Sequence, residues 1–203
     1  MERALGIDAV PGHASFVALA SIGGIRTELR YATPNNFVGA DIYLPFDCAW
    51  LHRDGADRLA EAVDLLARRR PGTSILVLDA LRPQRAQERM WAALAGTNLT
   101  DYLADPVRGS IHSFGMAVDV TIADEHGREL DMGTPFDDLT ERSHPVLEAE
   151  LLARGELQRV HIENRSLLRE VMGRAGWLGI RREWWHFDGG DRERIRAEYP
   201  RVL

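Results

Sequence analysis

The chain contains no lysine, a single cysteine and no long hydrophobic run. All 25 basic residues are arginine, which excludes a lysine nucleophile, Schiff-base chemistry and a P-loop lysine. Cys48 alone excludes an internal disulfide and a cysteine-rich zinc finger, so any metal site must use histidine and carboxylate ligands. No stretch approaches the roughly 18 consecutive apolar residues of a membrane helix, and the first thirty residues do not resemble a signal peptide. We therefore expect a soluble, cytoplasmic protein with no membrane partner.

Length and net charge limit the number of domains and the kinds of partner that the protein can have. A chain of 203 residues lies at the upper end of one ordinary domain, and a domain of that size buries roughly 70% of its unfolded surface. No repeat, low-complexity tract or linker divides the sequence, so we predict one domain over residues 1–203. The net charge of −6 argues against a nucleic-acid partner, whose binding surface would be basic. The sequence shows no clear oligomeric interface, and the oligomeric state stays open.

Hydrophobic periodicity predicts several helices and strands. An apolar stripe at helical spacing predicts a helix from Asp54, as its cap, to about Arg70. The apolar run 74–78 predicts a buried strand, and a second helix is predicted from near Pro83 to just before Gly96. A third helix is predicted over about Ile162 to Ala175, followed by an aromatic hairpin or strand pair over Trp177–Phe187.

Two further segments carry many of the polar residues. From Met116 to Ile122 apolar residues alternate with others, which predicts a strand whose Asp119 lies on the face opposite the apolar row. Gly115 permits a turn before this strand, so that His112 and Asp119 can reach one point. The acidic segment Asp124 to Pro145 has no apolar period. Loops of that length in compact domains are often functional, so we predict a lid or a specificity loop here.

Two segments more than sixty residues apart supply the residue types of a hydrolytic zinc site, at Ser110–Asp119 and at Glu183–His186. Such a site needs three protein ligands, an open position for water and a nearby base. His112, Asp119 and His186 are the candidate ligands, because a carboxylate on a mostly apolar strand is costly to bury unless it is paired or binds a metal. Glu183 remains as the base. Glu183 and His186 are three positions apart, so a regular strand would place their side chains on opposite faces. Both can serve one site only if Glu183 precedes the strand or a bulge redirects it.

Each of these residues also has an ordinary structural explanation. His112 could be a surface loop residue, Asp119 a capping group, and His186 a half-buried ring between aromatics. Arg82 follows Asp79 by three residues at the end of the apolar strand. It either forms an ion pair that fixes the strand end or directs its guanidinium toward the reaction centre, where it would stabilise an oxyanion. Spacing alone does not decide between the two.

The same segments resemble a known family, the zinc D-alanyl-D-alanine dipeptidases of the VanX type, which is related to zinc D,D-carboxypeptidases and to the hedgehog-like fold. The pattern Ser-x-His-x-x-Gly-x-Ala-x-Asp lies at Ser110–Asp119, and Glu-x-Trp-His lies at Glu183–His186. The resemblance covers roughly Leu29 to Phe187. Further family-like segments occur in family order, at Tyr31-Ala32-Thr33, Asp79 with Arg82-Pro83, Asp131-Met132-Gly133-Thr134, Glu141-Arg142-Ser143-His144 and Asn164-Arg165. One departure is Leu81, which stands where the family pattern has an aromatic residue before the arginine.

The resemblance implies an α+β fold with a small, mostly antiparallel sheet flanked by helices. It implies one zinc ion per chain and a small dipeptide substrate. The reaction would be hydrolysis of D-Ala-D-Ala to two D-alanines by a zinc-bound water. The implied roles are zinc binding by His112, Asp119 and His186, general acid/base catalysis by Glu183, transition-state stabilisation by Arg82, and substrate binding by Ser110 and Tyr31.

Two alternatives stay open. One is a zinc D,D-carboxypeptidase or endopeptidase that acts on longer cell-wall peptides, although the predicted cytoplasmic location favours a free dipeptide. The other is a non-catalytic zinc-binding module of the same fold. Structural zinc sites usually have four protein ligands, whereas this sequence offers three strong candidates and a spare glutamate. For a free dipeptide, the acidic residues Asp137, Asp138 and Glu141 are candidates to bind the substrate ammonium.

Overall fold

A computed structural model describes residues 4–203 of the chain. In this range the strands are β1 (Ala4–Leu5), β2 (Phe16–Ala18), β3 (Ile25–Thr27), β4 (Trp50–His52), β5 (Ser74–Asp79), β6 (Ala117–Ala123), β7 (Leu178–Gly179), β8 (His186–Asp188) and β9 (Arg201–Val202). The α-helices are α1 (Arg53–Arg69), α2 (Gln84–Ala93), α3 (Glu148–Ala153), α4 (Arg159–Arg174) and α5 (Arg192–Glu198). Of the helices in the described range, none has the length and apolar character needed to cross a membrane.

The main sheet has five strands in the order β3-β5-β6-β8-β7. β3 and β5 run parallel, while the other neighbouring pairs in this sheet run antiparallel. Two small two-stranded pairs, β1 with β9 and β2 with β4, lie outside this sheet. The predicted α+β fold with a mostly antiparallel sheet is therefore confirmed.

The two faces of β5 and β6 are covered by different elements. Val118, Val120 and Ile122 of β6 lie in the main hydrophobic core, where α1 packs on β5 and α4 packs on β6. On the opposite face, Leu78 packs in a smaller cluster with Phe136 from the segment after β6. Asp119 has the parity of this second face, as the alternation of the sequence predicted. Both faces of β6 are buried, so a carboxylate on this strand lies inside the protein.

Two helix starts differ from the sequence prediction. α1 is capped by His52, whose Nδ1 accepts a hydrogen bond from the Asp54 amide at 3.2 Å, so the prediction of Asp54 as the cap is wrong. α4 begins at Arg159, ahead of the predicted Ile162, and His161 Nδ1 accepts from the Gln158 amide at 3.0 Å. At α1 the His52 nitrogen replaces the oxygen of the usual N-cap residues. At α4 the His161 nitrogen takes the place of the glutamate or glutamine oxygen of a capping box. Apolar spacing reveals neither hydrogen bond.

The acidic segment 124–145 is packed onto the body of the protein. Arg165 of α4 is 1% exposed, and its guanidinium donates to the carbonyl oxygens of Met132 at 2.7 Å and Arg142 at 3.0 Å. Trp184 Nε1 donates to Thr134 Oγ1 at 2.8 Å. These contacts hold the middle of the segment against α4 and against the residues that precede β8.

Candidate metal centre

Strand register aligns polar side chains across the main sheet. Asp119 on β6 lies directly opposite His186 on β8, and a register shift between Val77 and Asp79 on β5 brings Asp79 opposite Asp119. Residues directly opposite each other on antiparallel strands place their side chains on the same face. The three side chains are buried, so a row of two carboxylates and one imidazole crosses the interior of the sheet.

His112 reaches this row from a 3-10 helix, Ile111–Phe114, just before β6. The helix ends at Gly115, which has a φ of 64°. A Cβ at Gly115 would lie 2.7 Å from the His52 amide nitrogen, so both the backbone conformation and the available space require glycine. The His112 ring is oriented by its Nδ1, which donates to the Ala80 carbonyl oxygen at 2.7 Å. Its Nε2 lone pair therefore faces Asp119 and His186.

Three donor atoms converge at this point. His112 Nε2 lies 3.2 Å from His186 Nδ1, His186 Nδ1 lies 3.0 Å from Asp119 Oδ1, and His112 Nε2 lies 3.4 Å from Asp119 Oδ1. Ligands bound tetrahedrally to zinc at 2.0–2.1 Å are spaced about 3.3 Å apart. The separations and the nitrogen and oxygen donor types therefore fit a divalent ion such as zinc.

The charges in the centre favour a bound cation. Burial alone would raise the pKa of Asp119, but His112 and His186 hold that pKa well below its usual range. Burial alone would lower the pKa of His186, but Asp188 and Asp119 raise it to about 10. Two carboxylates thus stabilise positive charge on or near the His186 ring. Because imidazole must give up a proton to bind a metal, a proton and a divalent ion compete for the same place.

Arg82 connects this centre to the end of β5. Its Nε and Nη2 donate to Asp79 Oδ2 at 2.8 and 2.6 Å, and its Nη2 also donates to Asp119 Oδ2 at 3.2 Å. Nη1 donates to Gln87 Oε1 at 3.2 Å. The same guanidinium therefore forms the ion pair at the strand end and lies beside the candidate ligands, while its role toward an oxyanion stays a prediction.

Glu183 lies before the first residue of β8, as the parity argument required. Its Oε2 is 3.9 Å from His186 Nδ1. The pKa of Glu183 is raised to about 7, mainly by burial and also by the charge of Asp119, against the opposing effect of His186. Within the described part of the chain, the group of possible metal ligands consists of His112, Asp119 and His186, and Glu183 does not belong to it.

Tyr31 and Asp137 form a second polar pair near the centre. The Tyr31 hydroxyl lies within hydrogen-bonding distance of both carboxylate oxygens of Asp137, at 2.8 and 2.9 Å. Asp137 has a φ of 62°, a left-handed conformation that costs energy for a residue with a side chain. Burial raises the pKa of Asp137 to about 8, although the hydrogen bond from Tyr31 opposes this shift. The Arg82 guanidinium lies 5.1 Å from the centroid of the Tyr31 ring.

A cavity of about 640 Å³ opens onto the centre. All seven predicted site residues line it, namely Tyr31, Arg82, Ser110, His112, Asp119, Glu183 and His186. Of the three acidic residues proposed for ammonium binding, Asp137 lines the cavity, whereas Asp138 and Glu141 are not among its lining residues. Sequence reasoning missed Gln87, which gave no pattern, and Asp188, which shares strand parity with His186 and could have been found from that.

Known proteins resemble this chain over most of its length. The family model for D-Ala-D-Ala dipeptidases, Peptidase_M15, matches residues 13–202. The D-alanyl-D-alanine dipeptidase of Escherichia coli K12 is 39% identical over 164 residues, which cover 81% of this chain and 78% of that protein. The D-alanyl-D-alanine dipeptidase of Enterococcus faecium is 32% identical over 187 residues, which cover 82% of this chain and 86% of that protein. All seven predicted site residues lie within the matched range.

Proposed function

This chain belongs to the Peptidase_M15 family of D-Ala-D-Ala dipeptidases and is a peptidase, and from that membership we propose that it hydrolyses the free dipeptide D-Ala-D-Ala to two D-alanines with one zinc ion per chain. The observation that carries the proposal is the convergence of His112 Nε2, Asp119 Oδ1 and His186 Nδ1, beside a glutamate and on the wall of a cavity. Sites with three protein ligands and access to solvent are typical of catalytic rather than structural zinc.

His112, Asp119 and His186 would hold the ion. When bound, zinc supplies Lewis acidity, which polarises a peptide carbonyl and makes nearby water easier to deprotonate. His112 is prepared for this role, because its Nδ1 proton is already used by the Ala80 carbonyl and its other nitrogen is left as a lone pair.

Glu183 would move the proton. Its buried carboxylate has a pKa of about 7, so near neutral pH it accepts and returns a proton at comparable cost, which is the best condition for general acid–base catalysis. In our proposal Glu183 takes a proton from the attacking water and delivers it to the amine that leaves when the peptide bond breaks.

Arg82 would stabilise the negative charge that develops on the carbonyl oxygen. Its guanidinium is fixed on three sides by Asp79, Asp119 and Gln87, so it needs little reorganisation when the charge appears. Preorganised donors of this kind in a buried site are among the largest contributions to catalysis.

A free dipeptide also presents an ammonium and a carboxylate. We assign the ammonium to Asp137, whose carboxylate lines the cavity and is held there by Tyr31 in a strained backbone conformation. Strain at a cavity wall is typical of functional positions. Ser110 is buried in the wall beside His112, and we retain it and Tyr31 as substrate-binding residues.

The cavity walls favour a short substrate over a long peptide. The Tyr102 hydroxyl and His144 Nε2 lie 2.9 Å apart, and this contact joins the segment after α2 to the acidic segment that carries Asp137. Arg182 packs 5.5 Å from the centroid of the Tyr102 ring. Tyr102 and Arg182 both line the cavity. In our proposal this contact limits the length of peptide that the cavity admits, in favour of a dipeptidase over a carboxypeptidase or endopeptidase.

The test is a hydrolysis assay on the zinc-loaded and the chelator-treated protein. We expect D-alanine release from D-Ala-D-Ala that is lost on chelation and restored by zinc, with little release from L-Ala-L-Ala, N-acetyl-D-Ala-D-Ala or a D-alanine tripeptide. His112→Ala should abolish both bound zinc and activity, whereas His126→Ala, a change at an exposed histidine, should preserve both. Faster cleavage of the tripeptide than of the dipeptide would favour the carboxypeptidase, and zinc binding without hydrolysis would favour the non-catalytic module.

A further inference from the structure

Asp188 contacts the candidate ligand His186 from the side away from the centre. The two residues are separated by one position on β8, so their side chains lie on the same face of the strand. His186 Nε2 donates to Asp188 Oδ1 at 2.9 Å, and the Asp188 side chain is 4% exposed. The proposed mechanism gives this carboxylate no role, although such a group is costly to bury without one.

When His186 binds a metal its ring is neutral, and the one remaining ring proton has two possible positions. Asp188 accepts from Nε2 at 2.9 Å, and Asp119 Oδ1 lies 3.0 Å from Nδ1 on the other side of the ring. A neutral imidazole carries one N–H and one lone pair. If the proton were on Nδ1, the ring would donate to Asp119 and present no lone pair to the centre. If it is on Nε2, the ring donates to Asp188 and Nδ1 is available as a ligand.

Asp188 is itself fixed in position. Arg192, on α5, donates from Nε to Asp188 Oδ2 at 2.6 Å, so each carboxylate oxygen has its own donor. The Asp188 backbone pairs with Ala117 on β6 and with Leu178 on β7. The pairing fixes the backbone of Asp188, and the carboxylate cannot turn away from His186 without breaking its ion pair with Arg192.

His112 has an equivalent arrangement, built from the backbone. There the Ala80 carbonyl oxygen accepts from Nδ1 at 2.7 Å and leaves Nε2 for the centre. The two rings thus face the same point through different nitrogens, and each has an acceptor behind it. The backbone carbonyl cannot be removed by a substitution, whereas the Asp188 side chain can.

We propose that Asp188 is a positioning residue for His186, which holds the ring as the Nε2–H tautomer with its Nδ1 lone pair directed at the metal centre, and that Arg192 anchors Asp188 in this orientation. The proposal rests on the proposed zinc site, since it concerns how one ligand of that site is prepared. Outer carboxylates that accept from a ligating imidazole typically contribute a factor of about 10 to 100 in metal affinity.

The first experiment measures zinc affinity by competition with a chromogenic chelator, on the full-length protein. Asp188→Ala should weaken zinc binding roughly 10- to 100-fold, whereas Asp188→Asn, which keeps an acceptor oxygen for Nε2–H, should lose much less. The control is Glu193→Ala, which removes an exposed carboxylate from α5 and should change the affinity by less than about twofold. Unfolding of each metal-free variant is measured in parallel, so that a general loss of stability is recognised.

The second experiment observes the tautomer directly. Nitrogen-15 NMR of histidine-labelled, zinc-loaded protein should show His186 protonated at Nε2 and bound through Nδ1. We expect the same tautomer in Asp188→Asn, because its side-chain oxygen still accepts from Nε2–H. This variant allows the comparison with the wild type even if Asp188→Ala does not fold.

The outcomes separate this proposal from the proposed function. Zinc binding and hydrolysis by the wild type, together with an unchanged zinc affinity in Asp188→Ala, would overturn the role of Asp188 and leave the function intact. A proton on His186 Nδ1 in the zinc-loaded protein would overturn it as well. A wild-type protein that binds no zinc would overturn both.

Discussion

Replacement of Glu183 by glutamine is the sharpest test of the proposed chemistry. Glutamine has nearly the shape of glutamate but cannot take a proton at neutral pH, so the change removes the proton transfer while preserving the cavity. Glu183 lies outside the group of three donor atoms, and we expect zinc to remain bound with a stoichiometry of one.

The expected magnitude follows from the setting of the carboxylate. With a pKa of about 7, the protonated and ionised forms of Glu183 are both well populated at neutral pH, which places it near the optimum for a general base. Loss of such a base typically costs a factor of about 10² to 10⁴ in rate. At about 1.4 kcal/mol for each factor of ten, that is roughly 3 to 5 kcal/mol of transition-state stabilisation.

The pH profile gives a second signature. A base with a raised pKa is protonated first as the pH falls, so kcat/KM of the wild type should decline on the acidic side of about pH 7. The charge of a bound cation lowers this pKa, so the midpoint is expected at or below that value. Glu183→Gln should lose this limb, and its residual activity should depend little on pH in that range.

The assay is steady-state release of D-alanine from D-Ala-D-Ala, with the metal content of every sample measured. Glu125→Gln is the matched control, because this glutamate is exposed and its replacement should leave kcat unchanged. If Glu183→Gln retains full zinc and hydrolyses the dipeptide within a factor of about ten of the wild type, the assignment of Glu183 as the acid/base is refuted.

Three further changes test other parts of the structure. Arg82→Ala should lower kcat far more than it raises KM, because the guanidinium is assigned to the transition state rather than to ground-state binding. Arg165→Met should lower the free energy of unfolding by about 3 kcal/mol or more, because the carbonyl oxygens of Met132 and Arg142 lose a buried donor. Burial lowers the pKa of His52, so the neutral ring adds stability above the unfolded-state pKa of about 6.5, and this stability is lost as the pH falls below that value. Asparagine caps α1 without titrating. In His52→Asn the free energy of unfolding should therefore depend less on pH on the acid side.

Each of these changes has a matched control. Arg89→Ala and Arg68→Met remove exposed arginines from α2 and α1 and should leave kinetics and stability close to those of the wild type. His126→Asn, at an exposed histidine, should leave the pH profile unchanged. An effect of Arg82→Ala on KM alone, a two-state urea midpoint unchanged in Arg165→Met, or parallel stability profiles for His52→Asn and the wild type would contradict the respective assignment.

Local periodicity predicted most of the secondary structure. The apolar stripe of α1, the continuous run of β5 and the alternation of β6 all correspond to elements of the structure. Helix starts were predicted less well: His52 accepts a hydrogen bond that serine, threonine or aspartate usually accepts, and His161 accepts one that glutamate or glutamine accepts in a capping box. The short strands β1 to β4 and β9 and the short helices α3 and α5 were not predicted, because segments of so few residues show little periodicity.

The candidate site was predictable in composition but not in its connections. The residue types and the spacing at Ser110–Asp119 and Glu183–His186 were enough to select the three candidate ligands and Glu183. Arg82 was one of two open interpretations at the end of the apolar strand, and Ser110 and Tyr31 came from the family resemblance. They did not reveal that Arg82 contacts Asp119 while also pairing with Asp79. Nor did they reveal the contact between Tyr102 and His144, because it joins two irregular segments without periodicity.

The sequence by itself determined which chemical groups the protein has: two histidines and a carboxylate for a metal, a spare glutamate, and no lysine or paired cysteine for other chemistry. Only the tertiary structure decided which nitrogen of each ring faces the centre and how strongly Glu183 holds its proton. These properties depend on burial and on strand register, which places Asp119 opposite His186 although the two are 67 positions apart in the sequence. Distance and desolvation act through space, so no local pattern of residues contains them.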